Sequence, residues 1–140
     1  MAKARTPLER ILRVRTLQLG LVRAEEVRAH ERLASETALK DRITQLAADV
    51  APAAERAGAF TLMAAAHYRD RLHQSADAAA ARERYAARRV EAATEATLAA
   101  KRDQTAVEKL IARRDAAQAI KDMRALEEAP PARRVRHDPC

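Results

Sequence analysis

Four histidines and one cysteine are the residues of this chain best suited to hold a transition metal. His30, His67, His73 and His137 show neither HExxH nor HxxxH spacing, and Cys140 has no second thiol to join it. A zinc site needs three or four such ligands converging on one point, so these histidines read as solvated or interfacial helix residues. The only serines, Ser35 and Ser75, lie outside any nucleophile-elbow context. Glu25-Glu26 and Glu127-Glu128 are adjacent carboxylates. Neighbours on a helix point in different directions, so these pairs cannot divide acid and base roles at one centre. Two glycines, Gly20 and Gly58, cannot build a phosphate-cradling loop. The expectation is a protein without catalysis, metal or cofactor.

Arginine clusters are the remaining chemistry. Arg82-Glu83-Arg84, Arg88-Arg89, Arg113-Arg114 and Arg133-Arg134-Val135-Arg136 could contact phosphates. In the body, however, Glu91, Glu95, Asp103, Glu108 and Asp115 are interleaved with them. That pattern fits a solvated helix face better than a nucleic-acid track. The net charge of +7 still favours an acidic partner of some kind.

The elements that carry these groups follow from composition. Charged residues make up 34% of the 140 and aromatics 2%, and alanine supplies much of the apolar count. This is the profile of long helices rather than of a globular core. Thr6-Pro7-Leu8-Glu9 reads as a helix start: hydroxyl at the N-cap, proline at the first position, glutamate at the third. Leu8, Ile11, Leu12, Leu19, Val22, Ala29, Leu33, Ile43, Leu46 and Val50 then recur at helical spacing, with Glu26, Glu36 and Lys40 at positions a strict heptad would make apolar. Glu9–Arg13 and Glu36–Lys40 are spaced for pairing within the helix. Gly20 marks a bend or close approach, or is simply tolerated.

Pro52 and Gly58 break the pattern. Proline removes an amide and disfavours helical angles before it, and glycine can end a helix in the left-handed conformation. From Leu62 to Glu127 there is neither Pro nor Gly. An apolar face runs through Leu62, Leu72, Ala76, Ala79, Tyr85, Ala86, Val90, Ala93, Ala100, Val107, Leu110, Ile111, Ile120 and Met123. The prediction is an all-α, long two-helix antiparallel coiled-coil hairpin: helix 1 over about 7–51, a turn at 52–61, helix 2 over about 62–128. A disordered basic tail is expected over 129–140. Pairing outward from the turn places Leu8 near residue 105. Residues 107–127 should then project past helix 1, presenting Leu110, Ile111, Ile120 and Met123 as a docking surface, or as a fold-back or self-association seam. No apolar run approaches the roughly 20 residues of a membrane span, no secretory signal is legible, and Cys140 fits no prenylation pattern. A soluble, cytoplasmic protein is expected.

Leu8-Glu9-Arg10-Ile11-Leu12-Arg13-Val14-Arg15, directly after the capped start, resembles the "LxRLLxxR" opening of FliJ-type proteins. These are the small coiled-coil components of flagellar type III export. The central turn, Tyr68 followed by Leu72, and Glu108-Lys109-Leu110-Ile111-Ala112-Arg113-Arg114, similar to an "EKLxxRR" stretch, extend the resemblance over nearly the whole chain; injectisome stalk proteins share the architecture. The resemblance implies a non-catalytic stalk that binds the export ATPase hexamer, couples it to the membrane export gate protein and handles export chaperones. Its place would be peripheral, at the cytoplasmic face of the inner membrane. The family's contact stripe falls on Tyr68, Leu72, Ser75 and Ala79, where Ser75 replaces a small apolar residue and Ala79 a polar one or histidine. Leu72 and Ala79 can equally pack against helix 1. Alternatives from other classes are a structural, self-associating coiled-coil protein and a basic nucleic-acid-associated protein.

Overall fold

The computed structural model describes residues 6–50 and 58–130. Two helices account for nearly all of them: α1 (Pro7–Asp49, 43 residues) and α2 (Ala59–Glu127, 69 residues). They pack against each other as an antiparallel hairpin. At 1.5 Å per residue α1 is roughly 65 Å long and α2 roughly 100 Å.

Helix α1 begins where the sequence says it should. Thr6 is its N-cap, Pro7 its first residue, and the Thr6 amide donates to Glu9 Oε2 at 3.1 Å in a capping box. It ends slightly earlier than expected, with Val50 as C-cap and its amide bonded to the Leu46 carbonyl. Helix α2 starts before Leu62, at Ala59. Gly58 is its N-cap, with φ −60° and ψ 161°. The glycine therefore opens a helix in extended backbone and does not close one in the left-handed conformation. Its carbonyl accepts from the Thr61 and Leu62 amides at 2.9 and 3.2 Å. The rest of the predicted turn, including Pro52, and most of the predicted tail lie outside the described residues.

Burial repeats with a strict heptad on both helices. On α1 the seam runs Leu8, Leu12, Arg15, Leu19, Val22, Glu26, Ala29, Leu33, Glu36, Lys40, Ile43, Ala47 and Val50, with Glu9 and Thr37 partly covered on its flank. On α2 it runs Ala65, Arg69, Leu72, Ala76, Ala79, Glu83, Ala86, Val90, Ala93, Thr97, Ala100, Gln104, Val107, Ile111 and Arg114, with Ala80, Ala87, Thr94 and Thr105 partly covered on its flank. Steps of four and three alternate throughout, which is the a/d seam of a coiled coil. Ile11, Leu46, Leu62, Tyr85 and Leu110, expected on the packed faces, are substantially exposed. The seam occupies a narrower stripe than the apolar periodicity suggests, and Ala47 takes the place assigned to Leu46.

Bonds between the helices fix the register. Arg114 Nη1 donates to Thr6 Oγ1 at 2.7 Å, Gln104 Nε2 to Thr16 Oγ1 at 3.3 Å, and Thr94 Oγ1 to Glu26 Oε1 at 3.2 Å. At the far end the Arg69 guanidinium donates to the Val50 carbonyl at 3.0 and 3.3 Å. Leu8 then lies across from Ile111, about one heptad beyond the predicted residue 105. A slip of one heptad leaves the same faces in contact, so periodicity alone does not distinguish the two registers. In the observed one, large and small residues alternate across the seam: Leu19 opposite Ala100, Leu33 opposite Ala86, Ile43 opposite Ala76, and Leu72 opposite Ala47. Among the described residues Leu19, Ala79 and Ala86 are the buried ones, at 4%, 0% and 2% exposure.

Candidate partner-binding surfaces

Charged residues inside the seam are where local sequence and packing conflict. Each finds a partner across the helices. Arg15 meets Asp103 at 3.1 Å, Arg82 Nε donates to Glu36 at 3.3 Å, and Lys40 Nζ reaches both oxygens of Glu83 at 2.9 and 2.8 Å. Thr37 Oγ1 donates to the same Glu83 carboxylate at 3.0 Å. Hydrogen bonding to Lys40, then to Thr37, holds the Glu83 carboxyl below its ordinary value; the bond to Glu83 holds the Lys40 amine above its own. The predicted pairs within α1 do not form. Glu36 and Lys40 both turn to α2, and Glu9 serves the Thr6 amide and faces Arg114 at 3.8 Å. A lysine stem at this seam position also lies across from Ala79, so apolar methylenes cover the alanine while the ammonium pairs.

The stripe Tyr68, Leu72, Ser75 and Ala79 divides between two environments. Leu72 and Ala79 belong to the seam, and Ala79 is wholly covered by α1. Tyr68 and Ser75 are exposed beside it. A partner can therefore reach Tyr68 and Ser75 on the intact hairpin, and reaches Ala79 only if the helices part.

The projecting end is shorter than predicted. Val107 and Ile111 are half-buried seam residues, and Leu110 lies exposed on its flank. Past Arg114, which bonds the first residue of the α1 cap, every described residue of α2 is exposed. Continuing the heptad gives Gln118, Lys121, Ala125 and Glu128, so the seam stops being apolar there. Ile120, Met123 and Leu126 instead share a face with Ala116 and Ala119, turned well away from the α1 side. Their exposures are 52%, 61% and 76%.

A second end, without a partner among the described residues, was not legible as a surface in the sequence. Since Arg69 lies beside Val50, residues 59–68 extend past the end of α1. Phe60 and Met63 stand out there at 87% and 74% exposure. The available signal was the run from Ala57 to Ala66, which contains no charge.

The described residues contain no group of three or more His, Cys, Asp or Glu placed to hold a metal ion, and no helix long and apolar enough to cross a membrane. No protein-family model, curated protein or solved structure matches the chain.

Proposed function

We propose that this chain is a non-catalytic stalk of the flagellar protein export apparatus. In this reading it binds the export ATPase ring, couples that ring to the membrane export gate, handles export chaperones, and associates peripherally with the inner membrane. The observation that carries the reading is the shape: a slim two-helix rod whose longer helix runs past the shorter one at both ends. Its cross-section, roughly 10 by 20 Å for two helices side by side, is small enough to enter the bore of a ring. The projecting ends expose Phe60 and Met63 at one extremity and Ile120, Met123 and Leu126 at the other. The resemblance of residues 8–15 and 108–114 to FliJ-type proteins gives the reading its specific content.

The net charge of +7 suits an acidic bore, and an attraction of that kind weakens with salt. Titrating the purified chain against the export ATPase hexamer tests this directly. Binding and increased ATP turnover at low ionic strength, both reduced as salt rises, are expected. An ATPase that neither binds the chain nor changes its turnover at low salt ends the proposal.

One observation favours a second reading, a structural coiled coil that associates with itself. The face formed by Ile120, Met123 and Leu126 is apolar and has no partner among the described residues. Sedimentation separates the two: an elongated monomer fits the stalk, and a stable dimer fits self-association.

A further inference from the structure

The first half of α1 is apolar on two sides. Leu8, Leu12, Leu19 and Val22 fill the seam. Leu17 lies on the opposite side of the helix, with Val14 and Leu21 beside it and Ile11 on the adjoining flank. These four are between 45% and 69% exposed. A helix that is apolar all round is one that is covered all round, and α2 covers a single side. No acidic residue occurs from Arg10 to Ala24. Arg10, Arg13 and Arg23 border the outer face, and among the described residues none of them has an ion-pair partner. The projecting end of α2 is the counterpart of this face. Ala116, Ile120, Met123 and Leu126 form its apolar side, and Asp115, Asp122, Glu127 and Glu128 outnumber Lys121 and Arg124 there.

We propose that the projecting end of α2 docks, antiparallel, on the outer face of α1 in a second copy of this chain. The inference rests on the self-association reading above and names its two surfaces. Two observations select this occupant. The spacing agrees: Ala116, Ile120, Met123 and Leu126 follow at steps of four, three and three, and so do Leu21, Leu17, Val14 and Ile11 read in the opposite direction. Laid antiparallel, the stripes meet as Ala116 with Leu21, Ile120 with Leu17, Met123 with Val14 and Leu126 with Ile11. The charges agree in the same register. Glu127 comes opposite Arg10. Asp122 and Asp115 lie on the edge that faces Arg13 and Arg23, because corresponding edges meet in an antiparallel pair. Asp115 is then shared between Arg23 of the second copy and Arg114 of its own chain, which it meets at 2.8 Å. The two faces also dictate the form of assembly. One points away from α2 and the other away from α1, so a two-fold pair cannot satisfy both. Each copy gives its α2 end to one neighbour and its α1 face to another, in an open head-to-tail series.

A helix pair of this length buries an area at the low end for specific contacts, so the association is weak and concentration-dependent. Sedimentation equilibrium of the full chain is the test. At low salt the average mass should rise with concentration past that of a dimer, and added salt should reduce the rise. Val14→Glu and Met123→Glu, both at exposed positions, should each leave the chain monomeric with its helix content unchanged. Mixed in equal amounts the two variants should form a pair and grow no further, because one keeps the α1 face and the other the α2 end; the average mass then rises by up to about twofold. Four results overturn the proposal. A parent chain that stays monomeric up to about 1 mM ends it together with the self-association reading. Dimers of Val14→Glu show that the α2 ends pair with each other, which leaves self-association standing without this interface. A mixture of the variants that stays monomeric removes the complementary docking. Phosphatidylglycerol vesicles that bind the parent and not Val14→Glu, with no association between copies, give the α1 face to a membrane surface.

Discussion

Lys40 and Glu83 carry the clearest electrostatic consequence at the scale of single residues. Glu83 is held below its ordinary 4.5 chiefly by its bond from Lys40, and Lys40 above its ordinary 10.5 chiefly by its bond to Glu83. A lowered carboxyl stabilises the fold above its unfolded value and loses that effect as pH falls through its folded value. A raised amine stabilises below its unfolded value and loses the effect as pH rises through its folded one. The pair therefore acts fully between about pH 5 and pH 10 and fades outside that window. Both side chains keep contact with water, so the effect is small. Glu83→Gln should lower the melting temperature slightly at pH 7, and its curve should converge with the parent's as pH falls through the carboxyl's lowered folded value. Parallel curves from pH 7 to pH 3 would show that the bridge contributes nothing. Leu19 gives the larger effect. It is the one buried large side chain of α1, and Leu19→Ala should cost about 2 kcal/mol, the low end for a buried leucine because a two-helix seam can partly close. That corresponds to roughly 6–10 °C in thermal unfolding followed by circular dichroism. Leu21→Ala, at an exposed position, should cost under about 0.5 kcal/mol.

At the scale of the helices, Gly20 resolves an ambiguity left by the sequence. A Cβ built there meets nothing within 4 Å. The glycine is thus neither a close-approach point nor a steric necessity; it simply weakens α1. Gly20→Ala should stabilise the chain by about 1 kcal/mol, seen as a rise of several degrees in melting temperature, and a fall would reveal a constraint absent from the packing. Ala86 is the opposite case. It is 2% exposed across from Leu33, so Ala86→Leu places two large side chains in a layer built for one. Overpacking should cost about 1–3 kcal/mol, with helicity lost first on either side of that layer. Element boundaries were legible where local chemistry is strong, as at Thr6-Pro7-Leu8-Glu9. They were misjudged at Gly58, because one residue type serves both ends of helices and only the direction of the following chain distinguishes the roles.

For the molecule as a whole, the two unequal rods imply that stability and reach reside in different segments. Every described residue past Arg114 is exposed, so a chain ending at Asp115 should keep its melting temperature to within about 1 °C while losing the face of Ile120, Met123 and Leu126. A large loss of stability would mean that this segment folds back or pairs with another copy. Of the surfaces read from the sequence, Ile120 and Met123 are exposed on the projecting end, and Tyr68 and Ser75 flank the seam. Ala79 is closed, Leu72 is half-buried, and Ile111 belongs to the pairing. Spacing placed all of these on helices, but it could not separate a face turned to a partner from one turned to α1.

The pattern of alanine and leucine, the capping residues and the single break by themselves determined that this chain forms two long helices that pair. Those features act over one or two turns, and every layer repeats them. Which layer meets which was decided only in the folded hairpin. There the polar intruders Arg15, Glu26, Glu36 and Lys40 have to find complementary groups on α2, and Leu8 and Leu12 have to find Ile111 and Val107. Such partners lie far apart in the chain and cannot be matched by period alone, since a heptad slip preserves the period while exchanging every partner.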